Sequence, residues 1–558
     1  MKRLLPVILV LALLCGLFCA CDIFGILKPN PQPNPTPTPD PDPEPNPQLT
    51  QSKVEFTSPA NGVPLYNGLK VSVDGTELPL YNVKVNNQHS WQPNPTTSRS
   101  DSGAGYMFLQ GNATVSVSMQ GLTSCIVRPL SAKVTASVQN GVATFTLSSA
   151  GNYSVEPNGD PTKAVFLFVS DFSAKDNGNV QGNVIRFSRG VHTSANSSYI
   201  NSDNAVVLNS NTTVVLEDGA VVRAKFVANN ANNITVCGTG IIDGSVFTRN
   251  ATTNEVTVPL DFNYCTNVSF KDFSVLDPAG WCVNWYFCSD CKIDNIKIIT
   301  SRSNGDGISL QSCKRINVTN CFLRTWDDSL VVKNYPQWAN KNNEGATENI
   351  TFENCTVWTD LAQSMEVGYE TVGKTLKDVS FRSITVLHNF HKPVISIHNG
   401  NNADVTNVTY DTITVEDASM GKGDAGSNNQ LIELAVEYSG TWSDQHKQTA
   451  LGSINGVTVQ NVSVLSGNSV QSVRIAGSRD TRAGYGGTSH FVTNVTLQNV
   501  WLSPDKKLNA NYSYFSKNEF TSGITVTMGD NMVTAPFRFS LTPEQSAAYT
   551  PNANVTVL

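Results

Sequence analysis

From about residue 205 onward the chain repeats one pattern of apolar and polar positions. It reads NNITVCGTGIIDG, then TNVSFKDFSVLD, CKIDNIKIITS, KRINVTNCFLRT, ENITFENCTVWT, KDVSFRSITVLH, ADVTNVTYDTITVED, INGVTVQNVSVLS and TNVTLQNVWLS. Each phrase holds two short runs in which apolar residues alternate with polar ones, separated by a polar turn that often carries Asn. Alternation with period 2 predicts strands. Val268, Ile293 and Ile316 begin successive copies, 25 and 23 residues apart, and later copies spread to 34 and 29 as loops are inserted. A repeat of 20 to 30 residues with no helical segment predicts a solenoid. A parallel β-helix satisfies both signals, each coil turning alternate Val, Ile, Phe and Cys inward and stacking on the last at about 4.8 Å. The first coils begin at VIRFSRGVHTS and TTVVLEDGAVVRAKF, so the β-helix is expected over 173–558. The many N-x-S/T triplets follow from the repeat phrase and read as turn and strand residues.

Residues 51–172 lack the repeat. VEFTSPANGVPLYNGLKVSVDGTELPLYNVKV, ATVSVSMQG, CIVRPLSAKV and GVATFTLSSAGNYSVEPNG read as strands joined by Asn-Gly, Asp-Gly and Gly turns, which predicts a separate antiparallel β-sandwich. The fold class expected is all-β, a right-handed parallel β-helix preceded by that sandwich. Ahead of it, Lys2 and Arg3 precede the apolar run LLPVILVLALLCGLF and then Cys19-Ala20-Cys21, a signal peptide over 1–21. A small residue directly before a cysteine resembles a bacterial lipobox, so Cys21 is expected to be lipidated and the chain held at the cell envelope. Residues 22–50 form a linker with proline at nearly every second position of KPNPQPNPTPTPDPDPEPNPQ. In polyproline II such a tether spans roughly 60 Å at about 3.1 Å per residue. GSRDTRAGYGGTSH (477–490) reads as a surface loop, and the tail from about 501 as a cap on the solenoid.

Only 15% of residues are charged, which suits strands with polar turns, and the net charge of −7 gives no reason to expect nucleic acid or another polyanion. Nine cysteines follow Cys21. Cys288-Ser-Asp-Cys291 has the spacing of half a zinc site, but no second half follows, and the odd number argues against a complete disulfide framework. They read as small apolar core residues.

The candidate chemistry lies in NGDGISLQSCKRINVTNCFLRTWDDSLVVK, residues 304–333. Asp306 precedes Asp327 by 21 residues and Asp328 by 22, about one coil, so the three carboxylates stand on adjacent coils at equivalent positions. Carboxylates gathered in this way repel, and at least one is expected to bind its proton more tightly than usual. An acid held protonated beside others held ionised is what glycosidic cleavage requires. On spacing alone, solvated turns and oxygen ligands for calcium stay open. Neighbours in one strand point to opposite faces, so both Asp327 and Asp328 reach one site only if a bulge or turn intervenes.

NGDG followed by WDDS resembles the NTD…GDD arrangement of polygalacturonases, glycoside hydrolase family 28. FSRGVHTS, TTVVLEDGAVVRAKF and VCGTGIIDG, after a sandwich with IVRPLS and YSVEPNG phrases, are similar to family 49 of the same clan, the dextranases and isopullulanases. The resemblance covers about residues 55–400. It implies an inverting, endo-acting polysaccharide hydrolase with Asp327 as general acid and Asp306 and Asp328 as the bases that position and deprotonate water. The Gly-His-Gly and Arg-Ile-Lys motifs of polygalacturonases are absent, the corresponding coils reading SMEVGYET and HNFHKPVISIHNG. That favours a neutral α-glucan such as a dextran-type polymer over pectin.

Trp326, Glu366, Tyr369, His391 and Lys392 are the candidate substrate contacts. Glu370 is a further hydroxyl partner, and His388 and His398 complete a cluster of four basic or imidazole groups within eleven residues. No metal or organic cofactor is implied. The expected partners are the polysaccharide and, through the lipid, a membrane; the chain is expected to be a monomer. Two alternatives remain: a polygalacturonase-like pectin hydrolase, favoured by an ordered basic patch at Lys392 and Arg302, and a non-catalytic glycan-binding surface β-helix, in which the three acids diverge.

Overall fold

The computed structural model describes residues 52–87, 99–175, 180, 182–248, 257–335, 345–419, 430–443, 448–467 and 470–537. The expected signal peptide, Cys21 and the Pro-rich segment lie outside the described residues. From the strand Asn183–Phe187 onward the chain winds as a parallel β-helix. One coil shows the plan: Val283–Tyr286 lies in an eleven-stranded sheet, Ser289–Asp294 and Lys297–Ile299 in a twenty-stranded one, and the chain then rises to Ile308–Gln311. In the eleven-stranded sheet the spatial order of strands is their chain order and every pair is parallel. The twenty-stranded sheet is parallel except for the terminal hairpin that pairs Trp501 with Lys507.

Alternation along each strand builds one continuous core from Ile185 to Leu508. Stacking is residue on residue: the rings of Phe352, Phe381 and Tyr410 lie parallel at successive centroid distances of 4.9 Å. The register corrects one point of the repeat. Val268 stands in line with Cys291 and then Ile316, whereas Ile293 stacks on Phe270. Cysteine is small and apolar enough to fill an inward position, so the aligned coils measure 23 and 25 residues, the reverse of the expected order. The nine cysteines among the described residues are free, and eight of them are buried.

Asparagine marks the bends. Asn267, Asn349, Asn407 and Asn494, each opening an N-x-S/T triplet, have φ between 52° and 58°. Asn tolerates this left-handed conformation better than other residues with a side chain. Their amides also link coil to coil, as Asn233 donates to Asn211 and Asn267 to Asn233, both at 2.8 Å.

The segment before the helix forms a six-stranded and a five-stranded sheet facing each other over a core that includes Val71, Val115, Phe145, Val155 and Leu167. It is antiparallel apart from one pair, Arg99–Gln110 with Val165–Ser170. Rather than standing apart, it belongs to one compact unit, 51–558. The reason lies in VFLFVS (165–170), buried on both faces: Val165, Leu167 and Val169 fill the sandwich, while Phe166 and Phe168 pack against Leu276, Ile299, Phe322 and Trp358 of the helix. Buried ions cross the same junction. Arg128 pairs with Glu156 (3.0 Å) and Glu416 (2.9 Å), and His388 bridges Glu156 (2.9 Å) and Asp417 (2.8 Å).

Two expectations about the end of the chain change in detail. The Gly-rich segment 477–490 contains an antiparallel pair, Ser478–Asp480 with Thr488–His490, and Arg482 lies between the rings of Tyr438 and Tyr485. The twenty-stranded sheet ends at Thr521–Thr527, after which the chain returns along the helix until Phe537 meets Tyr153 of the sandwich.

Candidate active site

In the eleven-stranded sheet, Ile308, Leu310, Leu330 and Val332 point into the core. Their neighbours therefore line the opposite face. The register places Asp261, Asn284, Ser309, Val331, Glu366, Ser396, Glu433 and Arg474 in one row across successive coils. The acids sit where two of these strands begin. Gly307 N–H donates to the Asp328 carbonyl at 2.8 Å and Asp327 N–H to the Gly305 carbonyl at 3.3 Å, which fixes the two acid-bearing turns one rung apart.

Glycine permits this closeness. A Cβ on Gly307 would lie 2.5 Å from both the Ser329 carbonyl oxygen and Leu323 Cδ2, and one on Gly305 2.7 Å from the Arg302 carbonyl oxygen. Residues 326–329 form a bend rather than a strand, so Asp327 and Asp328 are released from strict alternation. Thr325 Oγ1 donates to the Asp327 carbonyl at 2.7 Å, and Asp328 Oδ1 accepts from Gln363 N–H at 3.0 Å.

Asp306 and Asp328 are buried, and Asp327 is half-buried. Burial, and then the neighbouring charge of Asp327, pushes Asp306 well above the usual carboxylate range; Oδ1 of Asp306 has no hydrogen-bond partner. The same two causes push Asp328 up to about 7. Lys333, buried on the outward face of Leu330–Asn334, opposes both shifts. Its ammonium pairs with Glu370 at 3.2 Å and lies 4.9 Å from the Trp281 ring centre, which in turn lies 6.0 Å from the Tyr335 ring. Its own desolvation is outweighed by Glu370, Asp306 and Asp328, so it stays charged. Asp306 and Asp328 therefore hold their protons more tightly than ordinary carboxyls, beside Asp327, which meets solvent. Such a group can protonate a leaving oxygen and deprotonate water.

The other candidates are placed unevenly. Trp326 directly precedes the acid pair but is only 6% exposed, so it backs the site rather than offering an open platform. Glu366 is 1% exposed and is held by Ser396 Oγ and by His398 Nδ1 (2.9 Å). Tyr369 is half-buried above it, stacked on His398 with centroids 4.2 Å apart. His391 is buried and Lys392 half-buried in the turn before Ile395–Asn399. The four basic and imidazole groups do not converge, since His388 faces the sandwich and His398 the outer face of the eleven-stranded sheet. Arg302 is held by Asp277 (3.1 and 3.0 Å) and the Phe247 carbonyl.

Sequence reasoning passed over Lys333, Trp281 and Tyr335. Two of them were within reach of arguments already used. Lys333 shares the outward parity of Val331, and Trp281 precedes Asp306 by 25 residues, one coil.

The chain matches glycosyl hydrolases family 28 over residues 186–483, more than half its length. It belongs to that family. This family 28 chain is therefore a glycoside hydrolase, and the matched stretch contains all three acids. Among solved structures it is similar to Dex49A from Penicillium minioluteum, at 14% identity over 84% of this chain and 96% of that one, with a TM-score of 0.49. It is also similar to the family 28 exopolygalacturonase of Yersinia enterocolitica (12% identity, 76% and 97% covered, TM-score 0.37) and to a polygalacturonase from Erwinia carotovora ssp. carotovora (14%, 64% and 99%, 0.39). No curated protein matches the chain.

Proposed function

We propose that this glycoside hydrolase cleaves a neutral α-glucan of the dextran type, within the polymer and with inversion. The observation that carries the substrate class is the charge of the outer face. On the described strands of the eleven-stranded sheet from Ile308–Gln311 to Ser472–Ala476, the basic side chains sit on carboxylates: Lys333 on Glu370, His398 between Glu366 and Glu433, and Arg474 on Glu433 and Glu437. A uronate would add negative charge to a face already dominated by Asp306, Asp327, Asp328, Glu366, Glu370 and Glu433. A neutral sugar instead brings hydroxyl donors that carboxylates can accept. The Arg302 patch that would favour pectin is occupied by Asp277.

In this reading Asp327, the most accessible acid, protonates the glycosidic oxygen. Burial and the charge of Asp327 favour the proton on Asp306 and Asp328, so in this reading it moves to Asp327 in the substrate complex; the pair, then ionised, holds a water on the other side of the sugar and takes its proton as direct displacement inverts the anomeric centre. The proton lost by Asp327 is restored from the cluster once product leaves. By the N-terminal sequence, the enzyme works at the cell envelope, tethered through lipid on Cys21.

The test is hydrolysis by residues 51–558 of dextran, pullulan, other glucans and polygalacturonate, following reducing ends, viscosity and the anomer released, with Asp327→Asn as control. Dextran cleaved early to large fragments, releasing the inverted anomer and abolished by the substitution, is the expected result. Cleavage of polygalacturonate alone would overturn the neutral-substrate reading. Binding without turnover, unchanged by Asp327→Asn, would leave a glycan-binding β-helix. Labelled palmitate incorporated by the full chain and lost in Cys21→Ser is the expected result for the anchor; no incorporation removes it.

A further inference from the structure

Behind the three acids, the coils that follow carry a line of alternating charge that takes no direct part in the reaction. His398 lies in Ile395–Asn399 with its ring on the outer face, 1% exposed. Nδ1 meets Glu366 Oε1 at 2.9 Å, one coil back toward the acids, and Nε2 meets Glu433 Oε2 at 3.3 Å, one coil on. Arg474 bonds the far side of Glu433 and reaches Glu437 at 2.8 Å. Glu366 is further held by Ser396 Oγ, and its charge acts on Asp328. On the open side, the Tyr369 ring lies parallel to the imidazole, within 1°.

We propose that His398 is a positioning residue of the reaction: its imidazolium cancels the charge of Glu366 beside the acid cluster, and its ring seats Tyr369 at the substrate face. Geometry admits both roles together. The ring is hydrogen-bonded at Nδ1 to Glu366, and its Nε2 stands 3.3 Å from the Glu433 carboxylate, so a carboxylate at each edge favours the doubly protonated form. Although burial opposes that form, the two carboxylates outweigh it and hold the ring protonated to about 10, while Glu433 is drawn down to about 2 by His398 and Arg474 despite burial. Without the imidazolium, Glu366 would present an uncompensated charge to Asp328, which already faces Asp306, Asp327 and Lys333. Tyr369 would lose the surface it rests on.

The proposal rests on the hydrolase mechanism above, so its test has one arm that needs turnover and one that does not. In the first, kcat/KM is followed against pH on the polymer the wild type cleaves. His398→Gln is expected to move the acidic limb upward by about one pH unit, the size of one added charge at short range. Glu366→Gln is expected to move it down, and the double variant to return it close to wild type. His398→Phe keeps a ring under Tyr369, so it should show the shift with KM held within about twofold, while His398→Gln raises KM. A merely structural role would lower kcat alike at every pH in each variant, and that result overturns the proposal. In the second arm, nitrogen NMR of the histidine-labelled wild-type chain should show the buried His398 ring doubly protonated through pH 8. A ring that titrates in the ordinary histidine range overturns it whether or not the chain proves active.

Discussion

Replacing Asp328 by Asn keeps the shape of the side chain and its acceptor for the Gln363 N–H, and removes the charge. The carboxyl binds its proton at about 7 in the fold, against an ordinary value of 3.8. A folded-state value raised in this way favours the fold fully below about pH 4, where both states are protonated. The advantage is then lost as pH rises through 7. That difference corresponds to about 4 kcal/mol, an upper figure because Asp306 and Asp327 share the titration. At about 1 kcal/mol per degree for a unit of roughly 500 residues, Asp328→Asn should melt up to about 4 °C above wild type at pH 8. The gain should vanish by pH 4, and hydrolysis should be lost at every pH. Melting of both chains from pH 4 to 8, by calorimetry or circular dichroism, reads this directly. An Asn variant no more stable than wild type at pH 8 would refute the view that burial and repulsion raise the acid cluster.

Lys333→Met leaves Glu370 buried without its ion partner, which should cost about 3–5 kcal/mol in melting experiments. It should also move the acidic limb of kcat/KM upward, because Lys333 opposes the rise of Asp306 and Asp328; adding Glu370→Gln should recover stability and bring the limb part of the way back, since Glu370 raises Asp306. Gly307→Ala forces a methyl to within 2.5 Å of the Ser329 carbonyl unless the coils part. We expect a loss of about 1–3 kcal/mol, with kcat reduced on the order of 100-fold and KM little changed.

The solenoid was legible because each coil repeats the same inward alternation, and the acids because their spacing equals a coil. What escaped depended on contacts between distant segments. His388 and His398 are ten residues apart and look like one cluster, yet one lies in the twenty-stranded sheet against Glu156 of the sandwich and the other on the eleven-stranded sheet. The docking of the sandwich was hidden for a related reason. VFLFVS shows no alternation because both of its faces are covered, and an unbroken apolar run does not reveal which partner covers each face. Cys291 was passed over as a register mark because one cysteine in a row of Val and Ile breaks the visible phrase, although it fills the same inward space.

The junction with the sandwich changes how the solenoid holds together. In a stack of coils each touches only the next, so stability is a chain of neighbour terms and unravelling can begin at either end. Here Val221, Ile241, Leu276, Ile299, Phe322, Trp358 and Leu387, drawn from successive coils, share one apolar cluster with Tyr81, Phe166 and Phe168. The sandwich acts as a splint laid across them, and the coils bearing Asp306, Asp327 and Asp328 fall in its middle. Opening one splinted coil exposes surface belonging to several, so this stretch unfolds as a block. The coils beyond Phe390 lack that apolar cluster and are held to the sandwich by polar ties instead, Arg128 on Glu416 and the returning tail bonded to Thr414 and Ser463, so the firmest bracing falls on the coils that carry the acids.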